Sequence, residues 1–157
     1  MRAAILSMML VFGLGQAGLA GPIENRVLSL INAQRAAAGC PALVLSPALQ
    51  QAAQSYASAM ATQDFFGHRA PNGAGVSQRA WAVGYRFHKL AENIAAGQKT
   101  PESVVKTWMN SPGHRKNILT CGLQETGIGV VYQPDDAPLR GQSGPLRYYW
   151  VQMFGTQ

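Results

Sequence analysis

Three side chains in this 157-residue sequence have the type and setting for chemistry: His68, Glu92 and His114. Glu92 sits in Leu90-Ala91-Glu92-Asn93-Ile94-Ala95-Ala96-Gly97, and His114 follows Trp108-Met109-Asn110-Ser111-Pro112-Gly113. His68 lies upstream in Phe65-Phe66-Gly67-His68. Short apolar flanks around Glu92 and His114 are expected to hold them in a formed site, and all three side chains are expected at one cleft. Neutral imidazole and carboxylate are good ligands for zinc or another divalent cation. They are also the groups that move protons near neutral pH. The three cannot fill every role. If all of them bind zinc, no general base remains. If Glu92 is the base of a hydrolase, two protein ligands remain, one fewer than a catalytic zinc usually has. Asn93 beside Glu92 and Ser111 ahead of His114 are the polar neighbours expected to support the cleft.

Each residue also has a plainer reading. Glu92 would be a buried acid tying loops together through Asn93, His114 or backbone amides. His68 would be a surface loop residue, and His114 a cap on the turn after Pro112-Gly113. Other catalytic patterns are absent from the sequence. There is no His-Glu-x-x-His, and Gly141-Gln142-Ser143-Gly144 lacks the spacing of a nucleophile elbow.

The elements that must position these groups follow from hydrophobic period and breakers. Pro22–Ala38 is predicted as a helix with proline in its first turn. Its Ile23, Val27, Leu30, Ile31 and Gln34 share one side, and Gly39 stops it. Cys40-Pro41 opens an extended connector through Leu45. Ser46-Pro47 starts a second helix, with Leu49, Ala52, Ala53, Tyr56, Ala57 and Met60 in a core-facing stripe. Asp64–Ser77 is a glycine-marked loop that carries His68. A short helix near Ser77–Val83 follows, with Ala80, Trp81 and Val83 as its apolar residues. Tyr85–Lys89 is expected to be irregular, with His88 solvated. Thr100-Pro101-Glu102 begins another helix, which buries Val104, Val105 and Trp108. Ser111-Pro112-Gly113 ends it, and His114–Leu119 forms a short helical turn. Thr126–Gln133 alternates as a strand, with Gly127 and Gly129 where something packs closely. Pro134–Pro145 is expected to be a long exposed hairpin loop. Arg147–Phe154 is apolar on both faces and so a central strand. Helices first and strands last give an α+β fold: a three-layer α-β-α sandwich on a small antiparallel sheet. Trp108 and Trp150 belong to its core.

Length suits one domain. Arg2, an apolar run from Ala3 to Leu14 and Gly18-Leu19-Ala20 before Gly21-Pro22 have the pattern of a secretory signal peptide. Residues 1–20 are therefore expected to be removed, leaving 21–157 as the domain, secreted or periplasmic. The run is shorter than a membrane span needs, and no other stretch could provide one. The formal net charge of +6 drops by one with Arg2. The remaining bases are scattered, which argues against the basic stripe of a nucleic-acid partner. Cys40 and Cys121 are an even pair in an exported chain, and a disulfide between them is expected.

Phe66-Gly67-His68, Ala91-Glu92-Asn93-Ile94, Trp108 to Arg115, Gly127-Ile128-Gly129-Val130 and Tyr149-Trp150-Val151-Gln152 stand in the order found in one family. Together they resemble the bacterial, SCP-like branch of the CAP superfamily of cysteine-rich secretory, antigen 5 and pathogenesis-related proteins. The likeness runs from about Ile23 to Gly155. It implies a secreted α-β-α sandwich whose cleft carries two histidines and two acids in many members, sometimes with a divalent metal. His68 and His114 match the histidines and Glu92 the first acid. The second acid falls on Ser111, so the set is one carboxylate short, and the extra disulfides of the family are absent.

The functional expectation is a secreted binding module whose His/Glu cleft takes a divalent cation such as zinc or a small apolar ligand. Some eukaryotic members bind sterols or lipids. One alternative is a metal-assisted hydrolase of peptides or cell-wall material, with Glu92 catalytic. Another is a structural envelope protein that offers an interaction surface.

Overall fold

The computed structural model describes residues 20–157. The candidate leader, apart from Ala20, lies outside the described residues. In chain order the elements are α1 (Pro22–Ala37), β1 (Val44–Leu45), α2 (Pro47–Thr62), α3 (Val76–Ala82), β2 (Lys89–Ala96), α4 (Pro101–Asn110), α5 (Pro112–Ile118), β3 (Glu125–Tyr132) and β4 (Tyr148–Thr156). The sheet order is β1-β3-β4-β2. β4 is antiparallel to both its neighbours, and the two-residue β1 adds a parallel edge.

Alternation along β4 divides the core. Tyr149, Val151 and Met153 pack beneath α2 and α3. Trp150 and Phe154 face the opposite way, into the cluster of α1, α4 and α5. This is the three-layer sandwich the sequence predicts, with β4 central. Trp108 and Trp150 are buried in the core.

α2 lies directly on β3. A Cβ on Gly127 would overlap the Leu49 carbonyl carbon, and one on Gly129 would overlap the Ala53 carbonyl oxygen. Only residues without a side chain permit that approach. Beyond the reach of β1, α2 also supplies the missing edge partner. The Gln50 side-chain amide donates to the Ile128 carbonyl (2.6 Å) and accepts from its N–H (3.0 Å). Gln54 makes the same pair with Val130, at 3.1 Å each way. An i, i+4 step on a helix thus matches an i, i+2 step on a strand. Leu49, Tyr56 and Met60 are buried on the same helix, at about 1.5–3 kcal/mol per large apolar side chain.

Several expectations need correction. Lys89, expected to be irregular, instead opens a strand that runs to Ala96, although its alanines, Glu92 and Asn93 are poor strand formers. Tertiary pairing with β4 along its whole length overrides that propensity. Pro112 does not merely end α4 but opens α5, where a first-turn proline costs no hydrogen bond. On α1 the buried residues are Val27, Ile31 and Arg35, while Ile23 is exposed. On α3 only Ala80 is buried, and Trp81 lies outside, stacked on Phe87. The β3–β4 loop is not wholly exposed: Asp136 is buried and accepts from the Arg147 N–H (2.6 Å) and the Tyr149 hydroxyl (3.0 Å).

Cys40 and Cys121 are joined across 81 residues, as expected. Beside the bridge, the buried Arg35 guanidinium donates to the carbonyls of Pro41, Ile118, Thr120 and Leu123 at 2.7–3.2 Å. Among the described residues no carboxylate bonds this side chain. Four backbone oxygens solvate the cation instead, and burial lowers its pKa.

Candidate functional site

β2 is an edge strand, and its alternation sends neighbouring side chains to different layers. Glu92 faces α3 and the His68 loop. Asn93 faces α5, donating to the His114 carbonyl (3.2 Å) and accepting from Asn117 (2.9 Å). Asn117 also donates to the Glu92 carbonyl (3.2 Å). Thus α5, and His114 with it, is fastened to β2 by side-chain amides.

His68 Nδ1 lies 2.8 Å from Glu92 Oε1, on a ring that is 57% exposed against 3% for the Glu92 side chain. Of the expected trio, these two are in direct contact. His114 comes from the opposite layer. Burial pushes its pKa down, and the nearby His68 adds to that shift. Its Nδ1 is buried without a hydrogen-bond partner among the described residues. Ser111 bonds through its backbone only, at the junction of α4 and α5. His88 is exposed on a bend, as expected.

The residue that sequence reasoning missed is Arg79. Its Nη2 reaches Glu92 Oε2 at 2.5 Å and the His68 carbonyl at 3.1 Å, while Nη1 donates to the Ala74 carbonyl at 3.1 Å. Its guanidinium carbon lies 3.4 Å from the centroid of the Tyr56 ring, a stacked cation–π contact. The Tyr56 hydroxyl donates to the Gly67 carbonyl (2.6 Å). The available signal was Glu92 itself, because a buried carboxylate needs a cationic or hydrogen-bonding partner.

These contacts bear on whether the site suits a metal. Both Glu92 oxygens are engaged, one by imidazole and one by guanidinium. Ser111, the position to which the resemblance assigns a second acid, carries no carboxylate. Two imidazoles remain, one ligand short of a catalytic zinc. Among the described residues no three His, Cys, Asp or Glu side chains gather as a metal site. The residues present do not fit a divalent ion.

A separate open groove of about 270 Å³ lies between α1 and α4, with Leu30, Val105 and Met109 in its lining. It does not meet the His/Glu cleft. Among the described residues no helix is long and apolar enough to cross a membrane.

The sandwich and the pair formed by Glu92 of its edge strand with His68 of the neighbouring loop define an SCP-like module, and comparison with known proteins agrees. The profile of the cysteine-rich secretory protein (CAP) family matches residues 28–154, and the chain belongs to that family. The uncharacterised protein YkwD of Bacillus subtilis is 39% identical over 131 residues, 83% of this chain and 46% of YkwD. An extracellular SCP-domain protein of Bacillus anthracis superposes with a TM-score of 0.71 at 23% identity, covering 89% of this chain and 45% of that one. An outer surface protein of Borrelia burgdorferi gives 0.73 at 21% identity, covering 85% and 91%. The two superpositions bear on the fold alone. The chain spans less than half the length of the curated relatives it matches.

Proposed function

We propose that this chain works outside the cytoplasm as a CAP binding module, its cleft holding a polar group of an envelope component. The supporting observation is the locked state of Glu92, whose oxygens are taken by His68 and Arg79. A carboxylate so engaged is not free to act as a general base. The ring nitrogens left over on His68 and His114 can bond a ligand. The leader-like first segment supports an address beyond the cytoplasm. The apolar ligand implied by family resemblance would suit the α1–α4 groove better than the cleft.

The test is co-sedimentation of the purified chain with isolated peptidoglycan and with phospholipid vesicles. Binding reduced at least tenfold in His68→Ala, without turnover, supports the proposal. Equal binding by wild type and His68→Ala overturns it.

One observation favours hydrolysis as a second reading. Glu92 holds His68 by Nδ1, which leaves Nε2 available on a half-exposed ring. A carboxylate-oriented imidazole is the base arrangement of many hydrolases. Release of soluble fragments from peptidoglycan, abolished by His68→Ala, would establish it. Fragment release that persists in His68→Ala would rule it out.

A further inference from the structure

The cleft already contains a cation. Arg79 Nη2 sits on Glu92 Oε2, and His68 Nδ1 takes Oε1. We propose that Arg79 is the resident cation of this cleft, filling as part of the chain the position beside Glu92 that a divalent ion would need, so that the site works without metal.

The guanidinium is not loosely placed. It is held at the Ala74 and His68 carbonyls, on Glu92 and over the Tyr56 ring, and Tyr56 is itself tied to Gly67. Most of these contacts lie around one turn of chain, from Gly67 to Ala74, and the helix that follows it. For Glu92 Oε2 to ligate a metal, Arg79 would have to leave, breaking three hydrogen bonds and the stacking together. Arg79 Nε is buried with no partner among the described residues. The fold thus leaves one donor unpaired to keep the other two nitrogens in place. Arg79 is accordingly a positioning residue: it fixes Glu92, which orients the His68 imidazole. Arg79 supplies the positive charge against the Glu92 carboxylate, which is thereby balanced without an ion.

This inference rests on the reading of the cleft as the functional site, but its test uses zinc and no envelope material, so the two can fail separately. Zinc chloride is titrated calorimetrically at pH 7 into wild type, Arg79→Lys, Arg79→Met and Glu92→Gln. Nitrogen-15 NMR follows the His68 imidazole in each. The proposal expects wild type, Arg79→Lys and Glu92→Gln to bind zinc within twofold of one another. It expects Arg79→Met to gain at least tenfold, because a carboxylate oxygen is freed. The His68 Nδ1 resonance should keep its wild-type position in Arg79→Lys and move in Arg79→Met. Wild type binding zinc tenfold more tightly than Glu92→Gln overturns the proposal, and this comparison does not need Arg79→Met to fold. A folded Arg79→Met with no gain overturns it as well.

Discussion

Glu92 and Arg79 are a buried pair, with side-chain exposures of 3% and 11%. Such a pair is costly to break from one side, because the partner is left as an unpaired charge. Arg79→Met should therefore lower stability by about 3 kcal/mol in urea denaturation. Removing Glu92 as well, as in Arg79→Met/Glu92→Gln, should cost less than the two single changes added together. Two tyrosines make a prediction about pH. Burial, then a hydrogen bond to Glu125, raises the pKa of Tyr85; burial, then a hydrogen bond to Asp136, raises that of Tyr149. A raised folded-state pKa gives stability that is complete below the unfolded value, about 10, and is lost as pH rises above it. The urea midpoint should fall above that pH, and the fall should be shallower in Tyr85→Phe and Tyr149→Phe. His68 and Glu92 were legible as candidates, in a trio with His114, because each is a titratable side chain close to apolar anchors. Arg79 was not, because it reads as an ordinary helix-surface base until α3 is placed against β2.

At the scale of elements, α2 was readable from its stripe and its Ser46-Pro47 start, and the Gly127/Gly129 alternation announced a close neighbour. Gly127→Ala forces backbone apart and should destabilise by about 3 kcal/mol, at the top of the overpacking range, measured by thermal unfolding. The role of Gln50 and Gln54 was hidden, since polar side chains on a helix normally read as solvent-facing. Gln50→Ala leaves the buried N–H and carbonyl of Ile128 unpaired, and about 2 kcal/mol is the expected loss. Hydrogen exchange should localise it, with the Ile128 amide losing protection before its neighbours in β4. β2 was missed for a different reason. Its residues have little strand preference of their own, and its stability lies in pairing with β4 and in the amide clasp from α5.

At the scale of the molecule, the Cys40–Cys121 bridge and the Arg35 guanidinium hold the same junction, where the chain after α1 meets the chain after α5. The two cysteines were legible by count, whereas nothing in the sequence marks Arg35, a base in the last turn of its helix, as buried. Closing so long a loop is worth about 4.5 kcal/mol in the chain-entropy model. Replacing both cysteines by serine should therefore lower stability by up to that amount. Because Arg35 still joins the two segments, the doubly substituted chain should keep its fold, checked by circular dichroism, while Arg35→Met added to it should not. The alternation of β2 has a further consequence. A slip of the strand by one position would send the carboxylate into the amide's layer and the amide into the carboxylate's. The guanidinium would then face a neutral group, and the α5 clasp would meet a negative one. Both layers would reject the error at once, so the dipeptide that equips the cleft also proofreads how the sheet is assembled.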